Sequence, residues 1–217
     1  MPSLRTPPAV VSQQIVKTIP ASGLRERKKE RTRERLIENA FRLFTDKGFE
    51  SVSVDAIVEA VEVSRRTFFR YFMSKEDVVV GWLEKAEHAL LEALAARPRS
   101  ESPLDALRSV LVATASLYSK DRQRMLALVR LFEEAPSVRA LYQGREQALE
   151  HAITDEVARR MGRQAREGLA PRLIAAVAFS AKHAAFEQWI AGGCRGDLAA
   201  LTEEAFSLLR KTVESVS

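Results

Sequence analysis

Between Ser51 and Lys75 the sequence has the pattern of two short helices joined by a tight break, and no other stretch limits the fold as much. Ser53 suits the N-cap of the first helix, because its hydroxyl can accept a hydrogen bond from a free backbone amide. Ser64 is the second N-cap candidate, and it precedes the sequence RRTFFRYF of residues 65–72. Between the two serines, apolar residues recur at the spacing of a helix: Val54, Ile57, Val58 and Val61.

The second predicted helix has an aromatic side and a cationic side. Three aromatic rings lie one, three and four positions apart, so some must pack inward: Phe68, Phe69 and Phe72. The residues left for the outside are Arg65, Arg66, Arg70 and Tyr71. Taken alone, this is equally the pattern of a solvated, Arg-rich amphipathic helix. Two short helices of which the second is cationic also match a helix-turn-helix, whose second helix enters the DNA major groove.

The flanking elements favour the helix-turn-helix. From Leu24 the sequence is strongly helical up to Gly48, a residue type that commonly ends a helix. Ser74 opens another long helix, with Asp77 at the capping-box position. In this order of elements the chain resembles the TetR family of bacterial transcriptional repressors over about residues 35–80. The matching segments are residues 40–44, 48–49, 54–60, 63–69, 71–72 and 74–76.

Three positions depart from the pattern of that family. Glu62 occupies the turn where the family usually has Gly, so a non-glycine residue is expected at positive φ, at a cost of about 1 kcal/mol. Phe69 stands where Tyr is usual, and Tyr71 stands where His is frequent. Phe69 therefore lacks a hydroxyl that commonly contacts a DNA phosphate, and Tyr71 offers one nearby.

The resemblance implies an all-α fold in which an N-terminal three-helix helix-turn-helix DNA-binding domain precedes a C-terminal helical ligand-binding and dimerisation domain. We assign residues 1–22 to a mostly disordered N-terminal arm, residues 23–75 to the DNA-binding domain and residues 76–217 to the ligand-binding and dimerisation domain. The two helices predicted at about residues 171–191 and 198–216 are then expected to pair with their copies in a homodimer. The Ala-rich, almost entirely apolar sequence of the first of them suits burial on several sides.

Contacts to DNA are assigned by residue type and position. Phosphate anchoring is expected from Arg31, Arg35, Thr67, Tyr71 and Lys75. Base reading is expected from Arg65, Arg66 and Arg70, since a bidentate arginine on guanine contributes roughly 1–3 kcal/mol of discrimination. Ser64 and Phe69 complete the predicted DNA-binding set.

The charge distribution agrees with a polyanion at one end of the chain. The net charge is +5, and residues 21–75 contain thirteen Lys or Arg against nine Asp or Glu. The stretch after residue 75 is close to neutral, so the basic excess is confined to the N-terminal third. Cys194 is the only cysteine, which excludes an intrachain disulfide and a cysteine-based zinc site, and we expect a free, buried or semi-exposed thiol.

No motif indicates catalysis. The histidines His88, His151 and His183 fall on different predicted helices and lack the Glu-x-x-His and His-Glu-x-x-His spacings of metal sites. Phosphate-binding glycine loops and nucleophile elbows are also missing from the sequence. We therefore predict a protein that is not an enzyme and has no metal or cofactor. Neither an 18-residue apolar run nor a secretory signal is seen, so a cytoplasmic location is expected.

Polar residues within the apolar C-terminal helices suggest a ligand pocket. The candidates are Trp82, Tyr118, Arg130, His183 and Glu187. An equally good alternative is that His183 and Glu187 pair with each other at i,i+4, or face the partner subunit.

The sequence thus predicts a homodimeric repressor on a (pseudo)palindromic DNA operator, released by a small hydrophobic or amphipathic effector. The alternative is a helical dimeric DNA- or protein-interaction module without an effector.

Overall fold

Nine α-helices and no strands make up the residues that the computed structural model describes, 23–162 and 168–216. The predicted all-α fold class is confirmed, while the predicted N-terminal arm lies outside the described residues. In chain order the helices are α1 Leu24–Lys47, α2 Val54–Val61, α3 Arg65–Phe69, α4 Lys75–Ala96, α5 Pro103–Lys120, α6 Arg122–Glu134, α7 Pro136–Met161, α8 Leu169–Ala191 and α9 Leu198–Val216.

Serine side chains fix the starts of several helices. The hydroxyls of Ser53, Ser64, Ser74 and Ser102 accept hydrogen bonds from the backbone amides of Ala56, Thr67, Asp77 and Asp105. Each bond satisfies an amide that has no partner within its helix. Pro103 occupies the first turn of α5, where the missing N–H costs nothing. The helix starts predicted at Ser53, Ser64 and Ser74 are confirmed.

Helix α3 is shorter than its pattern predicts. The chain leaves the helix after Phe69, and the Tyr71 amide donates to the Phe68 carbonyl oxygen at 2.8 Å, which is the tighter turn of a 3₁₀ helix. The Phe72 amide still donates to the Phe68 carbonyl oxygen at 3.0 Å, and the Phe72 ring lies inward beside that of Phe68, with 5.7 Å between the ring centres. The prediction that the helix runs to Phe72 is therefore wrong at its C-terminal end.

The helix-turn-helix packs on a core that continues into the rest of the molecule. The aromatic residues of this core include Phe41, Phe44, Phe49, Phe68 and Phe72, all buried. The first turns of α4 contribute Val78, Val79 and Leu83, and the same apolar cluster extends to α6 and α8. A second cluster fills the space between α4, α5, α7, α8 and α9.

Polar contacts also join α1 to α4. The Arg33 guanidinium donates a hydrogen bond to the Gly81 carbonyl oxygen at 2.7 Å and pairs with the Glu84 carboxylate. One turn further along α4, the Lys85 ammonium pairs with Glu34 at 3.0 Å. Arg33 and Lys85 therefore connect α4 to the helix that supports the helix-turn-helix.

The connection between α8 and α9 is held by side chains from outside it. The Arg122 guanidinium donates to the carbonyl oxygens of Gly193, at 2.9 Å, and Cys194, at 3.1 Å. The Trp189 indole N–H donates to the Gly196 carbonyl oxygen at 3.3 Å. The Cys194 thiol is free and buried, as predicted, and burial raises its pKa, partly offset by the charge of Arg122.

Helices α8 and α9 leave large apolar side chains uncovered. Leu169 and Leu173 in α8 and Leu208 in α9 each expose more than half of their surface. Within the described residues, no helix is both long enough and apolar enough to cross a membrane.

Candidate nucleic-acid interface and interior cavity

The outer face of α3 presents cationic and aromatic side chains. Ser64 begins the helix, and its hydroxyl oxygen lies 3.0 Å from the Thr67 hydroxyl. Arg65, Arg66 and Phe69 point outward and are exposed. Phe68 anchors the opposite face in the core with no exposed surface. The helix is therefore held by one buried ring while its charged face remains free to meet another molecule.

The arginines of this region differ in how tightly they are held. The Arg65 Nε lies 3.0 Å from the Asp55 carboxylate of α2, although both side chains are largely exposed. The Arg66 guanidinium has no hydrogen-bond or ion-pair partner among the described residues. The Arg70 guanidinium stacks 4.9 Å from the Tyr71 ring centre and donates to its hydroxyl at 3.1 Å. Asp55 was missed by the sequence interpretation, because an acidic residue in the first turn of a helix is ordinarily a solvated one.

Phe69 is an apolar surface at the C-terminal end of α3. Half of its side chain is exposed, and its ring meets the Phe68 ring edge to face with 5.3 Å between centres. The neighbouring Met73 is exposed over most of its surface. An exposed ring of this kind can contact a thymine methyl group, whereas it cannot donate a hydrogen bond to a phosphate.

Two of the predicted phosphate ligands are hydrogen-bonded within the protein. The Arg35 guanidinium donates to the Val61 carbonyl oxygen at 3.0 Å and thereby satisfies the C-terminal end of α2. The Lys75 ammonium donates to the carbonyl oxygens of Phe49, at 2.8 Å, and Val52, at 3.2 Å. Arg31 lies exposed on α1, one helical turn before Arg35.

Glu62 turns the chain between α2 and α3. It has φ 57° and ψ 48°, the left-handed conformation predicted for this position. Its amide donates to the Glu59 carbonyl oxygen at 3.1 Å, and the Val63 amide donates to the Val58 carbonyl oxygen at 3.0 Å. The turn is therefore a helix C-cap of the kind that glycine normally supplies, built here on a residue with a Cβ atom.

The five predicted pocket residues do not share one cavity. Trp82 is half-buried, and its ring packs 6.2 Å from that of Tyr118, which lines an interior cavity. Arg130 lines a separate open cleft between α1 and α6. His183 hydrogen-bonds the Glu146 carboxylate at 2.8 Å, so its predicted alternative pairing with Glu187 is wrong. Glu187 is exposed on α8.

The interior cavity lies among α4, α5, α7, α8 and α9. It has an apolar wall and a free volume of about 30 Å³, which is room for roughly two water molecules. Its charged lining residues are Glu87, Glu146 and Lys182. No sequence signal distinguished Glu87 and Glu146, because both lie in charge-rich helical segments where solvated carboxylates are common.

Two ion-pair groups flank this cavity. Glu87 of α4 pairs with Arg145 of α7 at 2.8 Å. The next residue, Glu146, pairs with Lys182 at 2.6 Å and with His183, both on α8. Burial raises the pKa of the Glu146 carboxyl, but hydrogen bonds and positive charge from His183 and Lys182 outweigh this effect and lower the pKa to about 2.

Comparison with known sequences divides the chain into two matched regions. Residues 36–80 match the model of the bacterial regulatory proteins, tetR family. Residues 101–214 match the model of the MftR C-terminal domain. The first match contains α2, α3 and most of the residues whose geometry is described above.

Individual relatives cover most of the chain. It is 38% identical over 173 residues to TcmR of Streptomyces glaucescens, an HTH-type transcriptional regulator, with 77% of this chain and 76% of the relative aligned. MftR of Mycobacterium tuberculosis is 30% identical over 179 residues, covering 82% and 87% of the two chains. The structure of FadR from Thermus thermophilus, a TetR family transcriptional repressor in complex with lauroyl-CoA, superposes with a TM-score of 0.50 at 23% identity over 82% of this chain and 92% of FadR. The chain therefore belongs to the TetR family of helix-turn-helix, DNA-binding regulators of bacterial transcription.

Proposed function

We propose that this regulator is a homodimeric repressor whose two helix-turn-helix units bind a (pseudo)palindromic operator and are released by a small molecule. Residues 23–75 form the DNA-binding domain and residues 76–217 the ligand-binding and dimerisation domain. The protein acts in the cytoplasm, on double-stranded DNA. It is not an enzyme, and its charged side chains bind and position rather than catalyse.

The exposed cationic face of α3 is the observation that carries the DNA-binding part of this proposal. The Arg66 guanidinium has no partner within the part of the chain that the structure describes, and Asp55 pairs with the neighbouring Arg65. Both arginines contact base edges in the major groove, while Thr67, Tyr71 and Arg31 contact phosphates. Arg35 and Lys75 support this surface from behind through the carbonyl groups that they bind.

Dimerisation through α8 and α9 accounts for their uncovered leucines. Leu169, Leu173 and Leu208 are large apolar side chains that a monomer would leave in water. A second copy covers them by a two-fold contact, which buries the same residues on both chains. The two α3 helices then read half-sites about 34 Å or more apart.

The interior cavity is the proposed effector site. FadR, a relative with the same fold, has been solved with lauroyl-CoA. The cavity of this chain lies between α4, which contacts α1, and α8, which belongs to the proposed dimer seam. A ligand there would act on both elements through one conformational equilibrium.

A second candidate is a dimeric DNA-binding protein without an effector. The observation that favours it is the small free volume of the cavity, about 30 Å³. Typical small-molecule sites enclose roughly 300–1,000 Å³. An effector must therefore bind a more open conformation than this one.

Binding to duplex DNA tests the proposal. Purified protein is titrated with a duplex from around its own gene and with a scrambled duplex, at two salt concentrations. We expect selective binding that persists at the higher salt, with two chains per site. Equal and salt-sensitive binding to a full tiling of that region and to the scrambled duplex would contradict operator recognition.

The dimer seam has its own test. Leu173→Glu and Leu208→Glu should shift the protein towards monomer in analytical ultracentrifugation and weaken operator binding, because each places a charge in an apolar contact. Leu141→Glu, at an exposed leucine of α7, is the matched control and should remain dimeric. Unchanged dimers in both seam variants would place the interface elsewhere.

A further inference from the structure

The interior cavity combines an apolar wall with inward-facing carboxylates. Leucine and phenylalanine side chains from four helices form the wall: Leu90, Leu111, Leu149 and Phe186. The two hydroxyls of Thr114 and Thr202 are already used, since they donate to carbonyl oxygens of their own helices. Polar recognition inside the cavity is therefore left to Glu87, Glu146 and Lys182 together with the Tyr118 hydroxyl.

The positive partners of these carboxylates are placed further out. Arg145 lines an open cleft between α4 and α7 rather than the cavity itself. His183 leaves about half of its side chain, 48%, exposed. Of the basic residues that the structure describes, Lys182 alone shares the cavity with the two glutamates. The inner surface is therefore acidic, although the whole group of charges is nearly balanced.

The Tyr118 hydroxyl is an unused polar group beside both carboxylates. It has no hydrogen-bond partner among the described residues. Burial, and then the charges of Glu87 and Glu146, raise the pKa of Tyr118 far above its usual range.

The Glu87–Arg145 ion pair separates the cavity from the outer cleft. Glu87 and Leu149 line both spaces. The cleft has a free volume of about 310 Å³. A ligand that drew the Glu87 side chain away from Arg145 would displace one of the two residues shared by both spaces, and the joined spaces would reach the size of ordinary small-molecule sites.

We propose that this site binds an amphipathic cation, an apolar body with one ammonium group, which ion-pairs with Glu87 in place of Arg145. An anionic ligand would meet two carboxylates against a single lysine, and a neutral apolar ligand would leave the Glu87–Arg145 pair closed. The consequence of this site for DNA binding rests on the proposed function. Loss of the Arg145 contact would release α4, and α4 is joined to α1 through the hydrogen bond that Arg33 donates to the Gly81 carbonyl oxygen.

Three probes of equal chain length test the chemistry, namely decyltrimethylammonium, decanoate and 1-decanol, each kept below micelle formation. Calorimetry measures the affinity, and tryptophan fluorescence reports the location. Trp82 packs on Tyr118, and Trp189 packs 6.1 Å from Phe186. We expect the affinity for the cation to be at least about 10-fold higher than the affinity for either of the other two probes. Equal affinities, tighter binding of decanoate or no binding of any probe would overturn the proposal.

Variants of the ion pair identify the residues. Glu87→Gln should weaken decyltrimethylammonium binding about 10-fold and leave decanol unchanged, with Glu92→Gln on the same helix as control. Arg145→Met should tighten binding of the cation several-fold, because Glu87 is then unpaired. A misfolded variant could not produce this gain, and unchanged affinity in both variants would contradict the assignment to Glu87.

Duplex binding without any probe separates this inference from the proposed function. Cation selectivity without operator binding would retain the site and reject the repressor. Operator binding without cation selectivity would retain the repressor and reject the site.

Discussion

The Lys75 ammonium lies 4.3 Å from the centre of the Phe49 ring and donates a hydrogen bond to the carbonyl oxygen of the same residue at 2.8 Å. A second bond goes to the Val52 carbonyl oxygen, and the Glu50 carbonyl oxygen lies at 3.5 Å. An ammonium group has three donors, so little of its hydrogen-bonding capacity remains for DNA. Lys75 fastens the α1–α2 loop to the start of α4.

Replacement of Lys75 should therefore affect the stability of the fold more than the binding of DNA. Lys75→Met is expected to lower the free energy of unfolding by about 1–3 kcal/mol, because buried carbonyl groups lose their donor. Urea denaturation measures this, with Lys47→Met at an exposed site of α1 as control. We expect the salt dependence of DNA binding to stay nearly the same. A decrease of about 1 in its logarithmic slope would instead support the phosphate contact predicted for Lys75.

Arg66 should set sequence preference. Arg66→Ala is expected to cost about 1–3 kcal/mol on the operator and much less on a scrambled duplex, because a base contact is lost. Fluorescence anisotropy with both duplexes measures the difference, and Arg42→Ala on α1 is the control. Equal losses of affinity on the two duplexes would indicate that Arg66 contacts the DNA phosphate backbone rather than a base.

Glu62 should be a site where glycine stabilises. Glu62→Gly is expected to raise the free energy of unfolding by about 0.5–1 kcal/mol, since its left-handed conformation is strained for a residue with a Cβ atom. Glu59→Gly, three positions earlier within α2, should lower the same quantity by about 1 kcal/mol. Chemical denaturation of both variants checks the prediction, and a loss in each would show that the turn carries no strain.

Glu146 should make stability depend on acidity. Its pKa is about 2 in the folded protein and 4.5 for a free carboxyl, so the ionised form stabilises the fold above pH 4.5, and this contribution is lost as the pH falls towards 2. Glu146→Gln should be less stable than the wild type at pH 7, with a difference that narrows below pH 4.5. Denaturation at several pH values tests this beside Glu133→Gln, an exposed control. A difference independent of pH would contradict the assignment.

Local signals in the sequence were sufficient to predict most helix starts. A cap such as Ser64 or Ser74 acts within three residues, so its effect can be recognised without knowing the tertiary structure. The left-handed Glu62 was predictable for the same reason. The end of α3 was not, because the aromatic pattern continues to Phe72 while the backbone tightens after Phe69.

Partners distant in sequence escaped prediction. His183 pairs with Glu146, which lies 37 positions earlier, rather than with the nearby Glu187. Arg145 and Glu146 are adjacent in sequence yet contact α4 and α8 respectively. No periodicity distinguishes such residues from solvated charges on a helix, so the acidic cavity becomes visible only when α7 is placed between its two neighbours.

The connection between α8 and α9 contains a thiol whose alkylation rate reports how often this connection opens. Cys194 is buried there beneath carbonyl groups that Arg122 holds, and its raised pKa leaves little thiolate at neutral pH. Alkylation then requires that the connection opens. The alkylation rate therefore measures the frequency of opening, in the same way that amide hydrogen exchange measures local unfolding. Because the chain has a single thiol, one mass measurement over time would record how often the last two helices separate at their join, without an added label.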